Sequence, residues 1–272
     1  MHGMHARLPK NFVLEERLER FADAIELQPA SYAGRWRQAC ALLDGDHAVP
    51  YRHVHVDLGC GKGAFVVQAA PEDPTTLFVA IDAEPICVAY TAQHVMEAGL
   101  RNVVVVPALG SAIARIFSPG EVSSITLNFP TPFPRKKDAD RRLTSFARLL
   151  DYRSVLEPGG TVLLKTDSYP LWRFSELQFE QAGYRIRHNG EPDEAASSLT
   201  TEYERRLTAQ GAPVFSICAT PDGQPRTSHD ELSPSLVDYL PSDLDAMGYV
   251  PHGMQGTVTN LRNRHKRARR RQ

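Results

Sequence analysis

The stretch Val56-Asp57-Leu58-Gly59-Cys60-Gly61-Lys62-Gly63 sets a carboxylate two residues before a G-x-G-x-G run, between a predicted strand and a predicted helix. Gly59 and Gly61 allow a tight turn, and with no side chains in the way a ligand can approach the main chain. With Ala64 counted as a further small residue, the stretch also satisfies the dinucleotide fingerprint, so a nicotinamide cofactor stays open. Asp57 argues instead for S-adenosylmethionine, because a carboxylate there suits an ammonium group and repels a pyrophosphate. Gly63 completes the tight glycine pattern. Asp82, ending the next strand, can accept hydrogen bonds from both ribose hydroxyls of either cofactor.

A second stretch carries different chemistry. Asn128-Phe129-Pro130-Thr131-Pro132-Phe133-Pro134 is followed by Arg135, Lys136, Lys137, Arg141 and Arg142. Three prolines in five residues exclude a helix or a central strand, since each lacks an N–H and fixes its own φ. The result is a stiff loop at the end of a strand, where open α/β sheets hold their ligands. Its aromatic and basic side chains suit something flat and anionic, although the same residues also describe a solvated turn. Thr166-Asp167 reads equally as a helix N-cap, and Glu204 with Arg205 as a surface ion pair.

These stretches need a frame. Strands are expected at Val54–Leu58, Leu77–Ile81, Val103–Val106, Val122–Leu127, Thr161–Lys165, Tyr184–Arg187 and near Val214–Cys218. Helices are expected between them at about Gly61–Ala70, Glu84–Ala98, Ser111–Phe117, Asp140–Val155 and Leu171–Ala182. Alternation of this kind demands a mostly parallel sheet covered on both faces. Upstream, Leu14, Leu18, Phe21 and Ile25 mark an amphipathic helix with Asn11 as its N-cap and Pro29 beyond its end. Tyr32-Ala33-Gly34-Arg35-Trp36 then precedes a short helix and reads as a core anchor. Residues 189–200 and 220–235 read as loops.

The chain has 272 residues and 42% hydrophobic content, enough for a full core. No apolar run is long enough to span a bilayer, and the N-terminus lacks a signal-peptide core, so a cytoplasmic location is expected. The four cysteines are spread apart and read as reduced and mostly buried, and no metal site is expected. Charge is uneven: Arg262, Arg264, Lys266, Arg267, Arg269, Arg270 and Arg271 fall in the last eleven residues, which hold no acid. An acidic body with a basic, flexible arm suits a phosphate-bearing partner.

In combination these pieces resemble the bacterial tRNA (guanine-N7)-methyltransferase family from about Pro9 to Ile217. The landmarks are Tyr32–Trp36, the glycine loop, the Phe129–Phe133 turn, Pro158-Gly159-Gly160 leading to Thr166-Asp167, and Thr201–Arg206 followed by Gly211. The resemblance implies an α/β, Rossmann-like class I methyltransferase fold with a seven-stranded, mostly parallel sheet, binding S-adenosylmethionine and tRNA as a monomer or homodimer. It divides the chain into an N-terminal helical segment (1–52), a methyltransferase domain (53–218) and a C-terminal extension with a basic tail (219–272). It assigns Asp57, Gly59, Gly61, Gly63, Asp82 and Leu109 to the cofactor. Thr131 and Asp167 take the catalytic positions, and Arg135, Asp167, Thr201, Glu202, Tyr203 and Glu204 meet the guanine and the RNA.

The chain departs from the family in ways that bear on its chemistry. Thr131 stands where an aspartate is usual, Leu109 where an aspartate or asparagine is usual, Asp57 and Asp82 where glutamates are usual, and Arg135 where lysine is usual. Guanine N7 carries a lone pair and no proton, so its methylation requires placement more than a base. Guanine is chosen well by a carboxylate that accepts side by side from N1 and N2. Thr131 cannot supply one, which leaves Asp167 and Glu204 as the expected substitutes. A divergent methyltransferase with another acceptor, or a silent RNA-binding relative, remain the alternatives.

Overall fold

The computed structural model describes residues 12–39, 50–190, 199–226 and 235–269. Strands β1 (His53–Leu58), β2 (Thr76–Asp82), β3 (Val103–Pro107), β4 (Val122–Asn128), β5 (Leu156–Thr166), β6 (Tyr184–Gly190) and β7 (Phe215–Pro221) form one sheet in the order β3-β2-β1-β4-β5-β7-β6. All neighbouring pairs are parallel except those of β7, which runs antiparallel to both β5 and β6. This is the expected seven-stranded, mostly parallel α/β sheet.

The valine-rich strands are apolar on both faces because both faces are covered. Alternate residues divide between two cores: Leu77, Val79, Ile81, Val104 and Val106 join one, while Phe78, Ala80, Val103 and Val105 join the other. Helices α2 (Ala64–Glu72) and α3 (Pro85–Glu97) close the second core through Val66, Val88 and Val95. Helices α4 (Ile113–Ile116), α5 (Phe146–Val155) and α6 (Tyr169–Gln181) close the first through Ile113, Leu149 and Phe179. Trp36 anchors this side as expected, fully buried with its indole N–H donating to the Ile116 carbonyl at 2.8 Å.

Several boundaries differ from the expectation. Helix α1 (Leu14–Arg20) stops before Phe21 and Ile25, because Ile25 bridges to β3 at Val105 and the Glu26 amide donates to the Val105 carbonyl. Sheet pairing overrides the helical period there, and Asn11 lies outside the described residues. The short helix after Trp36 is a single 3₁₀ turn. Helix α5 starts at Phe146 instead of Asp140, and Lys136–Arg141 forms a 3₁₀ turn. Of the cysteines, Cys60 is buried and Cys87 and Cys218 are half-buried, none of the three in a disulfide, while Cys40 lies outside the described residues.

The described residues of the C-terminal extension pack against the domain. A 3₁₀ turn at Leu236–Tyr239 and helix α8 (Gln255–Arg269) follow β7 and the short helix α7 (Glu202–Thr208) that precedes it. Leu236 and Met254 are fully buried against Leu171 and Phe174 of α6, forming a third, smaller core. The flexible basic arm is therefore corrected over 262–269: these residues are helical, and Arg262 donates to the Leu244 carbonyl. Arg270 and Arg271 lie outside the described residues. No helix among the described residues is long and apolar enough to cross a membrane, and no group of three potential metal-ligating side chains is found among them.

Candidate active site

The predicted cofactor residues converge at the C-terminal ends of β1 and β2. The Gly59 and Cys60 amides donate to the Ile81 carbonyl, fastening the glycine loop to the end of β2. Gly59, Gly61 and Gly63 all have positive φ, 75°, 58° and 77°, the region that only glycine enters cheaply. Their surroundings differ. A Cβ on Gly61 would meet nothing within 4 Å, leaving the main chain open to a ligand, whereas one on Gly63 would sit 2.7 Å from Thr91 Cγ2. Gly63 is therefore also required for the packing of α2 against α3, whatever its main chain offers to a cofactor.

Asp57 is only 1% exposed. Its Oδ1 accepts from the Thr126 hydroxyl at 3.1 Å and the Asn128 amide at 3.3 Å, while Oδ2 is buried with no partner. Burial, opposed by those two hydrogen bonds, pushes this carboxyl up to about 7. A buried carboxylate oxygen left open at the ligand edge of the sheet fits the ammonium of an amino-acid moiety. Asp82 accepts from Gly61 N and Glu84 N at 2.8 Å each, one per oxygen, so each oxygen keeps a lone pair for a ribose hydroxyl. Leu109 follows β3 and is 65% exposed, an apolar surface at the position expected to meet the cofactor.

The proline turn leaves β4 between two strained residues. Phe129 and Phe133 hold φ of 49° and 45°, values costly for bulky side chains and typical of functional turns. The Arg142 side chain, expected to meet phosphates, is instead fully buried. Its guanidinium donates to the carbonyls of Pro132 and Phe133, with the shortest contact at 2.7 Å, and lies over the Phe174 ring. Desolvation lowers its pKa to about 10. Arg142 is thus an internal tether for the turn. Arg135 is exposed and paired with Asp138 at 2.8 Å, and Thr131 is exposed at the tip between its prolines.

The two carboxylates expected to replace the missing aspartate are both engaged. Glu204 is buried and paired with the equally buried Lys165 at 3.0 Å, so it is neither a surface partner of Arg205 nor free to read a base. Thr201 spends its hydroxyl capping α7, accepting from Glu204 N at 3.2 Å. Asp167 does not cap α6; Ser168 does, accepting from Leu171 N. The Asp167 Oδ2 accepts from the Tyr249 hydroxyl at 2.6 Å and the His252 amide at 2.9 Å. Tyr203 remains close, its pKa raised by burial and then by Asp167, with its ring edge-on to Phe129 at 5.3 Å. Glu202 is exposed. Asn128 was legible in principle as the residue ending β4, but nothing in the sequence flags Tyr249 or His252, which reach the site from the extension.

Sheet order, glycine loop and open carboxylate together define a class I methyltransferase architecture. A crystal structure of a 16S rRNA (adenine(1408)-N(1))-methyltransferase variant from Catenulisporales acidiphilia shares the fold, with TM-score 0.50 at 15% identity over 74% of this chain and 94% of that one. Residues 51–217 match the family model described as "Putative methyltransferase". The tRNA (guanine-N(7)-)-methyltransferase of Lactococcus lactis subsp. cremoris (strain MG1363) is 30% identical over 208 residues, 74% of this chain and 92% of the relative. The protein of the same name from Streptococcus thermophilus (strain CNRZ 1066) is 28% identical over 78% of this chain and 97% of its own length. The chain belongs to the tRNA (guanine-N7)-methyltransferase family.

Proposed function

We infer that this chain transfers a methyl group from S-adenosylmethionine to N7 of a guanine in tRNA. The observation that carries the reading is the unpartnered Asp57 Oδ2, buried beside an open glycine loop in a chain of this family. Asp57 would take the cofactor's ammonium, Gly59 and Gly61 its main-chain approach, Asp82 the ribose and the Leu109 turn the adenine. Bound there, S-adenosylmethionine would supply an electrophilic sulfonium methyl for the N7 lone pair, with S-adenosylhomocysteine as the leaving group.

The chain's own work is placement. The Phe129–Phe133 turn, held by Arg142, presents Thr131 and Phe133 at the end of β4, next to Asp167 at the end of β5. Because N7 has no proton to lose, the loss of an acid at position 131 removes an acceptor for the base and not a step of the reaction. Exposed Arg135, Lys136, Lys137 and Arg141 would meet backbone phosphates.

The deciding experiment incubates the purified chain with labelled S-adenosylmethionine and unmodified bulk tRNA, followed by nucleoside analysis. Label in 7-methylguanosine is expected. Label in another nucleoside would replace the acceptor, and cofactor binding without any transfer would leave a silent RNA-binding relative.

A further inference from the structure

The extension reaches the acceptor side of the site, and the matched family region ends at residue 217, so this contact lies outside what the family model describes. Four hydrogen bonds fix it there. Tyr249 and His252 N hold Asp167 Oδ2, and the Ser168 hydroxyl donates to Met254 Sδ at 3.3 Å. Leu236 N donates to the Pro134 carbonyl at 3.1 Å. Gly253, at φ +82°, lies so close to the proline turn that a Cβ there would be 2.9 Å from Pro132 Cδ. The neighbour of Thr131 is thus in direct contact with the loop that carries Tyr249.

We propose that Tyr249 is a base-reading residue supplied by the extension, replacing the acceptor that Thr131 cannot provide; the proposal rests on the reading above. The phenol donates its one proton to Asp167, and although the His252 amide, shared with Asp167, also faces its oxygen, a phenol oxygen has a further lone pair that can accept. Asp167 Oδ2 is consumed by two donors, while Oδ1 has no partner among the described residues. Tyr249 Oη and Asp167 Oδ1 therefore form a joint pair of acceptors, one from the extension and one from the residue that follows β5. Such a pair suits two adjacent N–H donors on one edge of a purine, the pattern guanine shows at N1 and N2. The Tyr249–Asp167 bond also keeps the carboxylate from rotating, so it acts as a fixed reader.

The test uses the full chain and the tRNA assay with nucleoside readout. Tyr249→Phe keeps the ring and removes the oxygen. Its kcat/KM for 7-methylguanosine formation should fall about 10-fold or more, with cofactor affinity unchanged and only a small drop in melting temperature from the lost hydrogen bond to Asp167. Adding Thr131→Asp to Tyr249→Phe should recover part of the loss, which a merely structural tyrosine would not allow. Unchanged kinetics in Tyr249→Phe would overturn the proposal. So would faster turnover, which would instead mark the extension as a strap competing with the base. Failure of the underlying reading is seen separately, as absence of 7-methylguanosine with the unaltered chain.

Discussion

Lys165 and Glu204 form an ion pair between β5 and α7 whose side chains are only 2% and 7% exposed. The ammonium also donates to the Leu199 carbonyl at 3.1 Å, which ties the chain entering α7 to the sheet beneath Asp167. Removing one partner would leave the other charged and buried. Glu204→Ala should therefore cost about 3–5 kcal/mol, while Lys165→Met combined with Glu204→Leu should cost much less. Urea unfolding of the three proteins measures this, and equal losses in single and double variants would refute it.

Asp57 gives the free protein a pH signature. Burial raises its carboxyl from an ordinary 3.8 to about 7, so the folded state holds this proton more tightly than the unfolded chain. Its contribution to stability is complete below about 3.8 and is lost as pH rises through about 7. Asp57→Asn should flatten that part of the stability profile. Pairing with an ammonium requires the ionised form, so S-adenosylmethionine affinity should rise with pH up to about 7 with release of a proton. Titration calorimetry in two buffers of different ionisation enthalpy reads the proton; pH-independent affinity would contradict the assignment.

Arg142 stabilises the proline turn from within, and its loss should not behave like the loss of a phosphate contact. Arg142→Met should lower stability by about 2–4 kcal/mol and speed amide exchange over residues 129–138. The salt dependence of tRNA binding should keep its slope. A reduced slope with unchanged stability would return this arginine to the RNA surface.

Helix α8 carries Arg264, Lys266, Arg267 and Arg269 exposed, whereas Arg262 is tied to Leu244 and lies 3.6 Å from Asp245. Replacing Arg264, Lys266 and Arg267 with Gln should weaken tRNA binding at low salt and reduce the slope of log K against log salt by about 2–3. Filter binding across a salt series checks this. An unaltered slope would remove α8 from the RNA contact.

The sequence by itself determined the sheet, the glycine loop and the proline turn, because these follow from strand periodicity, turn chemistry and proline's missing N–H, all read within a few residues. Only the tertiary structure decided what each charged group does. The Asp57 Oδ2 lacks a partner, Arg142 points inward and Glu204 finds Lys165 because of how distant elements pack. Local spacing carries no record of that packing. Asp167 shows the limit most clearly: its donors, Tyr249 and His252, lie 82 and 85 residues away, in a segment whose own pattern of short acidic and apolar residues does not reveal where it docks. Burial then decides the chemistry, since a carboxylate taken out of water must find a donor or hold its proton.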